Sequence, residues 1–220
     1  GNLLNVFEND INKYGQELDP EQLSLIDSKN FVGEPGDTLK NDKFAGEKFD
    51  CIVANPPFSL KWNPDELEND ERFINLPVMP PPSKADWAFM AHVLYHLADD
   101  GVAVVLGFPG ILYRGQREGK IRRWFVESNF IDKIVNIPGN TFEDTSISTC
   151  IVVLKKNRKT TDVYFEDGER ARTVSAQEIE ANDFTLSVNT YIQDIPENKA
   201  VDIDEINKKI IWRNFSFKYL

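Results

Sequence analysis

The chain is poor in sulfur and imidazole, with two cysteines, two methionines and two histidines among 220 residues. Cys51 and Cys150 lie inside apolar runs. They read as reduced core thiols rather than a disulfide framework or a zinc pattern, which favours a cytoplasmic setting. His92 and His96 stand four positions apart but lack the Glu of a zinc-protease helix, and they supply too few ligands for a metal site. No apolar run approaches the ~18 residues a membrane helix needs. The opening GNLLNVFEND lacks the basic region and long apolar core of a signal peptide. Positive charge is also short: 25 Lys and Arg face 36 Asp and Glu, a net charge of −11. A protein that grips a polyanion unaided carries a net basic face. If nucleic acid is the substrate, a local basic patch or a partner subunit must supply much of the grip.

The composition that remains, 41% hydrophobic and 28% charged, is that of a globular chain and excludes collagen-like or fully disordered classes. FDCIVA (49–54), VAVVLG (102–107), IDKIVNI (131–137) and TCIVVLKK (149–156) are short β-branched runs that read as buried strands. Helical spacing lies between them. Ser83 with Asp86 resembles a capping box, Trp87, Phe89, Met90, Val93, Leu94 and Leu97 form an apolar face, and Gly101 reads as a stop. A second helix is predicted over 116–128 with Ile121, Trp124 and Phe125 inward. Asp19-Pro20 with Gln22 reads as an earlier helix start. This alternation predicts a parallel α/β sheet, in which ligands bind beyond the carboxyl ends of the strands. The acidic, Pro-rich stretch 59–83 reads as a lid or flexible segment. DVYF (162–165) reads as an edge strand, and 166–220 as a polar, acidic extension.

Asn55-Pro56-Pro57-Phe58 stands at the end of the first run. The prolines fix their own φ angles and keep Asn55 out of the helical region. Neither proline has an N–H, so the loop offers acceptors: its carbonyls and the Asn55 side-chain oxygen. Phe58 adds a flat face on which a base can stack. A rigid set of acceptors suits methyl transfer to an amino nitrogen. An exocyclic amine is a poor nucleophile until its hydrogens are gripped and its lone pair is localised, which is work for positioning and electrostatics. The alternative for the bare tripeptide is a turn that only ends a strand.

KFDCIVANPPFSLKW resembles the catalytic motif of amino-methyltransferases acting on DNA adenine. YGQELDP (14–20), GDTL (36–39), SKADWAFMAHVLYHL (83–97), GFPGILYRG (107–115) and GNTFEDTSISTCIVVLKKNR (139–158) resemble, in order, segments of the modification subunit of type I restriction-modification systems. The resemblance covers about 1–165, with an echo at 182–192. It implies a Rossmann-like, S-adenosyl-L-methionine-dependent methyltransferase fold with a parallel sheet and an antiparallel strand near the end. Residues 1–165 would be a partial catalytic domain, incomplete at the N-terminus because the family's glycine-rich cofactor loop is absent. It further implies that Glu17 binds the cofactor ribose, that Asp37 and Thr38 meet the cofactor adenine beside Asn55, and that Asn55, Pro56, Pro57 and Phe58 form the target-base site. Phe142 would be a second aromatic wall. The implied partners are DNA held through a complex, a specificity subunit, a restriction subunit and a second copy of the chain. Arg114, Arg117, Arg122 and Arg123 form a local charge reversal that reads as phosphate contacts or as a solvated face. Lys155, Lys156, Arg158 and Lys159 read the same way. Two other functions stay open: an amino-methyltransferase acting on protein glutamine or RNA, and a non-catalytic interaction module.

Overall fold

A computed structural model describes residues 37–139 and 148–192. The expected helix start at Asp19, the ribose ligand Glu17 and the aromatic Phe142 lie outside the described residues. The chain divides into two compact units, Gly1–Lys43 and Phe44–Leu220. In the first, residues 37–41 form a turn in which the Asp37 carbonyl accepts the N–H of Lys40 at 3.1 Å and of Asn41 at 2.8 Å.

Among the described residues the second unit has six strands: β1 (Phe49–Ala54), β2 (Leu97–Gly107), β3 (Ile131–Ile137), β4 (Thr149–Lys155), β5 (Val163–Asp167) and β6 (Arg170–Val174). Their order is β1-β2-β4-β3-β5-β6. β1 runs parallel to β2, β4 runs antiparallel between β2 and β3, and β5 pairs parallel with β3. The sheet is therefore mixed: the expected antiparallel strand is present as β4, which among the described residues lies between β2 and β3, and β6 also runs antiparallel to β5. Helix α1 (Asp86–His96) links β1 to β2, and α2 (Gln116–Glu127) links β2 to β3. Period-2 alternation sends Cys150, Val152 and Leu154 of β4 into the main core, where Trp87 of α1 meets Phe125 of α2 at a ring separation of 5.1 Å. Ile151 and Val153 face the other side with Leu106 and Val135.

Several expectations change. α1 stops at His96, and Gly101 lies inside β2 instead of ending the helix. A Cβ there would stand 2.9 Å from the Asp50 carbonyl oxygen, so close strand approach explains the glycine. β1 is an edge strand among the described residues, and Phe49, Cys51 and Val53 are exposed where a buried strand was expected. Cys150 is buried as expected, but Cys51 is not. The stretch 59–83 is pinned rather than lid-like. The Trp62 amide donates to the Pro82 carbonyl at 2.9 Å, and its indole N–H to the Pro81 carbonyl at 3.0 Å. Phe73 is buried against Trp62. Arg72 is buried too, forked onto Asp70 and pointing one nitrogen at His92 Nδ1.

The expected boundary at 165 falls inside β5. Beyond it come α3 (Ala176–Ala181) and α4 (Val188–Tyr191). Ile179, Phe184, Leu186, Val188, Tyr191 and Ile192 enter the same core as α1 and α2. The described part of the extension is thus packed structure. Its N-cap is Ser175, whose hydroxyl accepts the Glu178 N–H at 3.2 Å.

Candidate active site

Parallel neighbours end on the same edge of a sheet, so the loops after β1 and β2 meet there. Ala54 is in register with Val105, and the chain leaves β1 into Asn55-Pro56-Pro57-Phe58. Asn55, Pro57 and Phe58 are exposed and Pro56 is half-buried. The residues of this loop are therefore accessible at the strand end.

The next residue, Ser59, has φ 52°. That is the left-handed region, which an L residue enters only when its surroundings hold it there. Three neighbours do so. The Ser59 N–H donates to Asp86 Oδ1 at 2.9 Å, Arg114 Nη2 donates to Ser59 Oγ at 3.3 Å, and the Ala85 N–H donates to the Leu60 carbonyl at 2.8 Å. Asp86 is the first residue of α1, but α1 has Ala85 as its cap and no side-chain capping bond. The predicted capping box does not form; the Asp86 carboxylate serves the adjoining loop instead.

Arg114 follows a single 3₁₀ turn at Pro109–Leu112. Its Nη1 lies 3.5 Å from Asp86 Oδ2 and 3.3 Å from Glu118 Oε1. Asp86 and Glu118 are both buried, and burial pushes the Glu118 carboxyl above its ordinary value even though Arg114 pulls it down. Arg122 is 4% exposed. Its guanidinium donates to the carbonyls of Arg114 at 2.6 Å, Phe184 at 2.8 Å and Ile111 at 3.4 Å. These bonds hold the Arg122 guanidinium inside the protein, away from any phosphate, while the Arg114 guanidinium, on a side chain 17% exposed, is shared among Asp86, Glu118 and Ser59. Arg117 is exposed, and Arg123 is exposed while pairing with Glu127 at 2.8 Å. In the second basic cluster, Lys155 and Arg158 share Asp132, each at 3.0 Å, and Lys156 bonds the Leu97 carbonyl, while Lys159 is exposed.

In the first unit, Asp37 is exposed and its Oδ1 accepts the N–H groups of Leu39 and Lys40 at 3.1 and 3.2 Å. Its Oδ2 is the oxygen not engaged in this turn, an acceptor of the kind an adenine amine requires. Thr38 is half-buried.

The sequence does not reveal that Asp86 and Arg114 meet at the acceptor loop, because these contacts are long-range. The bond from Ser59 to Asp86 spans 27 positions and that from Arg114 to Ser59 spans 55. Gly110, four residues before Arg114, is the one local hint: a Cβ on it would stand 2.6 Å from Arg114 Nε.

Residues 7–171 match the N-6 DNA Methylase family. The chain is 32% identical to a type I restriction enzyme methylase subunit of Mycoplasma pneumoniae, over 91% of this chain and 47% of that protein. It is 30% identical to a methylase subunit of the same enzyme type from Methanocaldococcus jannaschii, over 86% of this chain and 42% of the relative. Among solved structures, the methyltransferase subunit of a type I restriction-modification system from Streptococcus thermophilus superposes with a TM-score of 0.67 at 34% identity, covering 71% of this chain and 41% of that one. The chain thus spans less than half the length of these relatives. With an Asn-Pro-Pro-Phe loop at the carboxyl end of a mixed α/β sheet, and with this extent of shared sequence and fold, the chain belongs to the N-6 DNA methylase family.

Proposed function

We propose that this chain carries the target-base site of a DNA adenine N6-methyltransferase that uses S-adenosyl-L-methionine and acts as the modification subunit of a type I restriction-modification system. The observation that carries this reading is the exposed acceptor loop Asn55–Phe58 at the carboxyl end of β1. The family membership favours it over protein glutamine, RNA or a non-catalytic module.

The residues fit the chemistry. Asn55 Oδ1 and the Pro56 carbonyl accept the two hydrogens of the adenine amine and localise its lone pair on nitrogen. Phe58 stacks on the base once it has left the duplex. No strong base is needed, since the proton remains on nitrogen, gripped by these oxygens, until water takes it. S-adenosyl-L-methionine, when bound, supplies an electrophilic methyl group on a sulfonium. In this proposal Glu17 accepts from its ribose, Asp37 Oδ2 from its adenine amine, and Thr38 lies beside them, while Phe142 forms the second wall for the base.

Arg117 and Arg123 are the remaining phosphate candidates in the 114–123 cluster. With a net charge of −11, binding by the chain alone is expected in the non-specific range of about 10⁻⁴–10⁻⁶ M. Sequence-specific grip then comes from a specificity subunit, with a restriction subunit and a second copy of the chain completing the assembly. The test is transfer of labelled methyl by the full-length protein with its specificity partner, offered duplex DNA, RNA and protein. Label recovered as N6-methyladenine supports the reading, and label recovered only in RNA or glutamine refutes it.

A further inference from the structure

Beside the acceptor loop, Asp86 and Glu118 are buried and the Arg114 side chain is 17% exposed, and every member of this ion cluster points at Ser59 or at a residue that does. Asp86 uses Oδ1 on the Ser59 amide and Oδ2 on Arg114. Arg114 spans Asp86, Glu118 and the Ser59 hydroxyl. Its guanidinium lies against Gly110, where only a hydrogen fits. The Arg114 backbone is fixed in turn: its N–H donates to the Gly110 carbonyl at 3.0 Å, and its own carbonyl accepts from Arg122 at 2.6 Å. Arg122 reaches on to the Phe184 carbonyl, and the Leu186 N–H donates to the Leu112 carbonyl at 2.7 Å. A continuous chain of polar contacts therefore runs from residues 184–186 to the residue directly after Phe58.

We infer that Asp86 and Arg114 are positioning residues for the methyl-transfer site: they clamp Ser59 in its left-handed conformation and so fix the direction in which Asn55–Phe58 presents its acceptors. The inference rests on the reading of that loop given above. The cost of φ 52° at a serine makes the clamp necessary. Without it, Ser59 relaxes toward ordinary φ and swings the preceding Phe58 and the proline carbonyls. Reaction rates are sensitive to displacements of this size, since a shift of about 1 Å in a positioned group can cost about 100-fold. The bonds of the clamp end on Ser59, directly after the proposed target-base loop, so the effect expected is on turnover rather than on cofactor affinity. A glycine at 59 adopts positive φ without help and needs no clamp.

The experiment uses the full-length protein assembled with its specificity partner. Four variants are compared for kcat and for KM toward S-adenosyl-L-methionine: Asn55→Ala, Asp86→Ala, Asp86→Ala with Ser59→Gly, and Gly110→Ala. We expect Asp86→Ala to lower kcat at least about tenfold with KM within about twofold, and Ser59→Gly to recover most of that loss. Gly110→Ala requires only the Arg114 guanidinium to move, so it folds and lowers kcat in the same way. It carries the test if Asp86→Ala does not fold. Wild-type kcat in Gly110→Ala, or an Asp86→Ala loss that Ser59→Gly leaves untouched, overturns the positioning role. An inactive Asn55→Ala beside an active Asp86→Ala overturns the clamp alone. An active Asn55→Ala overturns the site itself and the clamp with it.

Discussion

Arg122→Met separates a structural arginine from a DNA-binding one. Methionine keeps much of the length of the side chain and removes its five donors. Three backbone carbonyls lose a partner: Arg114 at 2.6 Å, Phe184 at 2.8 Å and Ile111 at 3.4 Å. A buried acceptor left unsatisfied costs about 1–3 kcal/mol. The weakest of the three bonds belongs at the low end of that range. Against this stands the relief of a charge whose burial already pulls the Arg122 guanidinium below its ordinary pKa. Three such acceptors, partly offset by that relief, give a net expectation of roughly 3–5 kcal/mol of lost stability. For a chain of this size that is a fall of roughly 6–20 °C in Tm. The assay is thermal and urea unfolding of Arg122→Met beside Arg117→Ala, an exposed position where the change is expected to stay within about 0.5 kcal/mol. A phosphate contact behaves oppositely: its loss spares stability and lowers the slope of log K against log salt by about 0.9. A stability loss under about 1 kcal/mol together with that reduced slope would refute the structural assignment.

Glu118 faces Arg114, Asp86 and Lys84, and its carboxyl is raised above the ordinary 4.5 by burial. The folded state therefore holds a proton that the unfolded state has released, so this group's contribution falls as pH rises from 4.5 through the raised value. Glu118→Gln removes that slope, and urea midpoints should shift in favour of the variant as pH increases; parallel curves would contradict it. Cys51 is exposed, with partial burial and Asp50 raising its thiol above the ordinary value, whereas Cys150 is buried and its thiol is pushed up to about 12. A maleimide should label Cys51 in the native chain and Cys150 only after unfolding, and labelling of Cys150 in the native state would show the β4 core to be looser than described. Phe73→Ala opens a hole where a side chain 2% exposed packs on Trp62, and proteolysis within 59–85 should accelerate at least several-fold if this stretch is held shut by that contact.

The parts of this structure that are local in the chain could be read from the sequence. The β-branched runs at 49–54, 102–107, 131–137 and 149–156 became β1, β2, β3 and β4 because a strand's signal lies within a few residues. The acceptor loop was legible for the same reason: prolines constrain their immediate neighbours. The start of β2 at Leu97 was not, since LADDG carries charge and glycine where strands are usually apolar. Residues 176–192 looked like a polar tail because their core contacts are single apolar residues, such as Ile179, Phe184 and Leu186, scattered among charges. The basic stretch 114–123 was the most misleading. Charge alone does not reveal that Arg122 turns inward, since its partners are backbone carbonyls, which have no sequence signature. Asp86 offered a local explanation, the capping box, and the fold uses its carboxylate on a loop 27 positions away instead.

In the proposed reaction Asn55 grips the adenine amine. This role is tested most directly by the rate of N6-methyladenine formation in Asn55→Ala, measured as modified nucleoside released from duplex DNA by the full-length protein with its specificity partner. Loss of one fixed hydrogen-bonding group at a reacting atom typically costs about 10²–10³ in rate. The rate should fall at least about 100-fold with cofactor binding retained, and a variant that methylates adenine within a few-fold of wild type would rule out this role for Asn55.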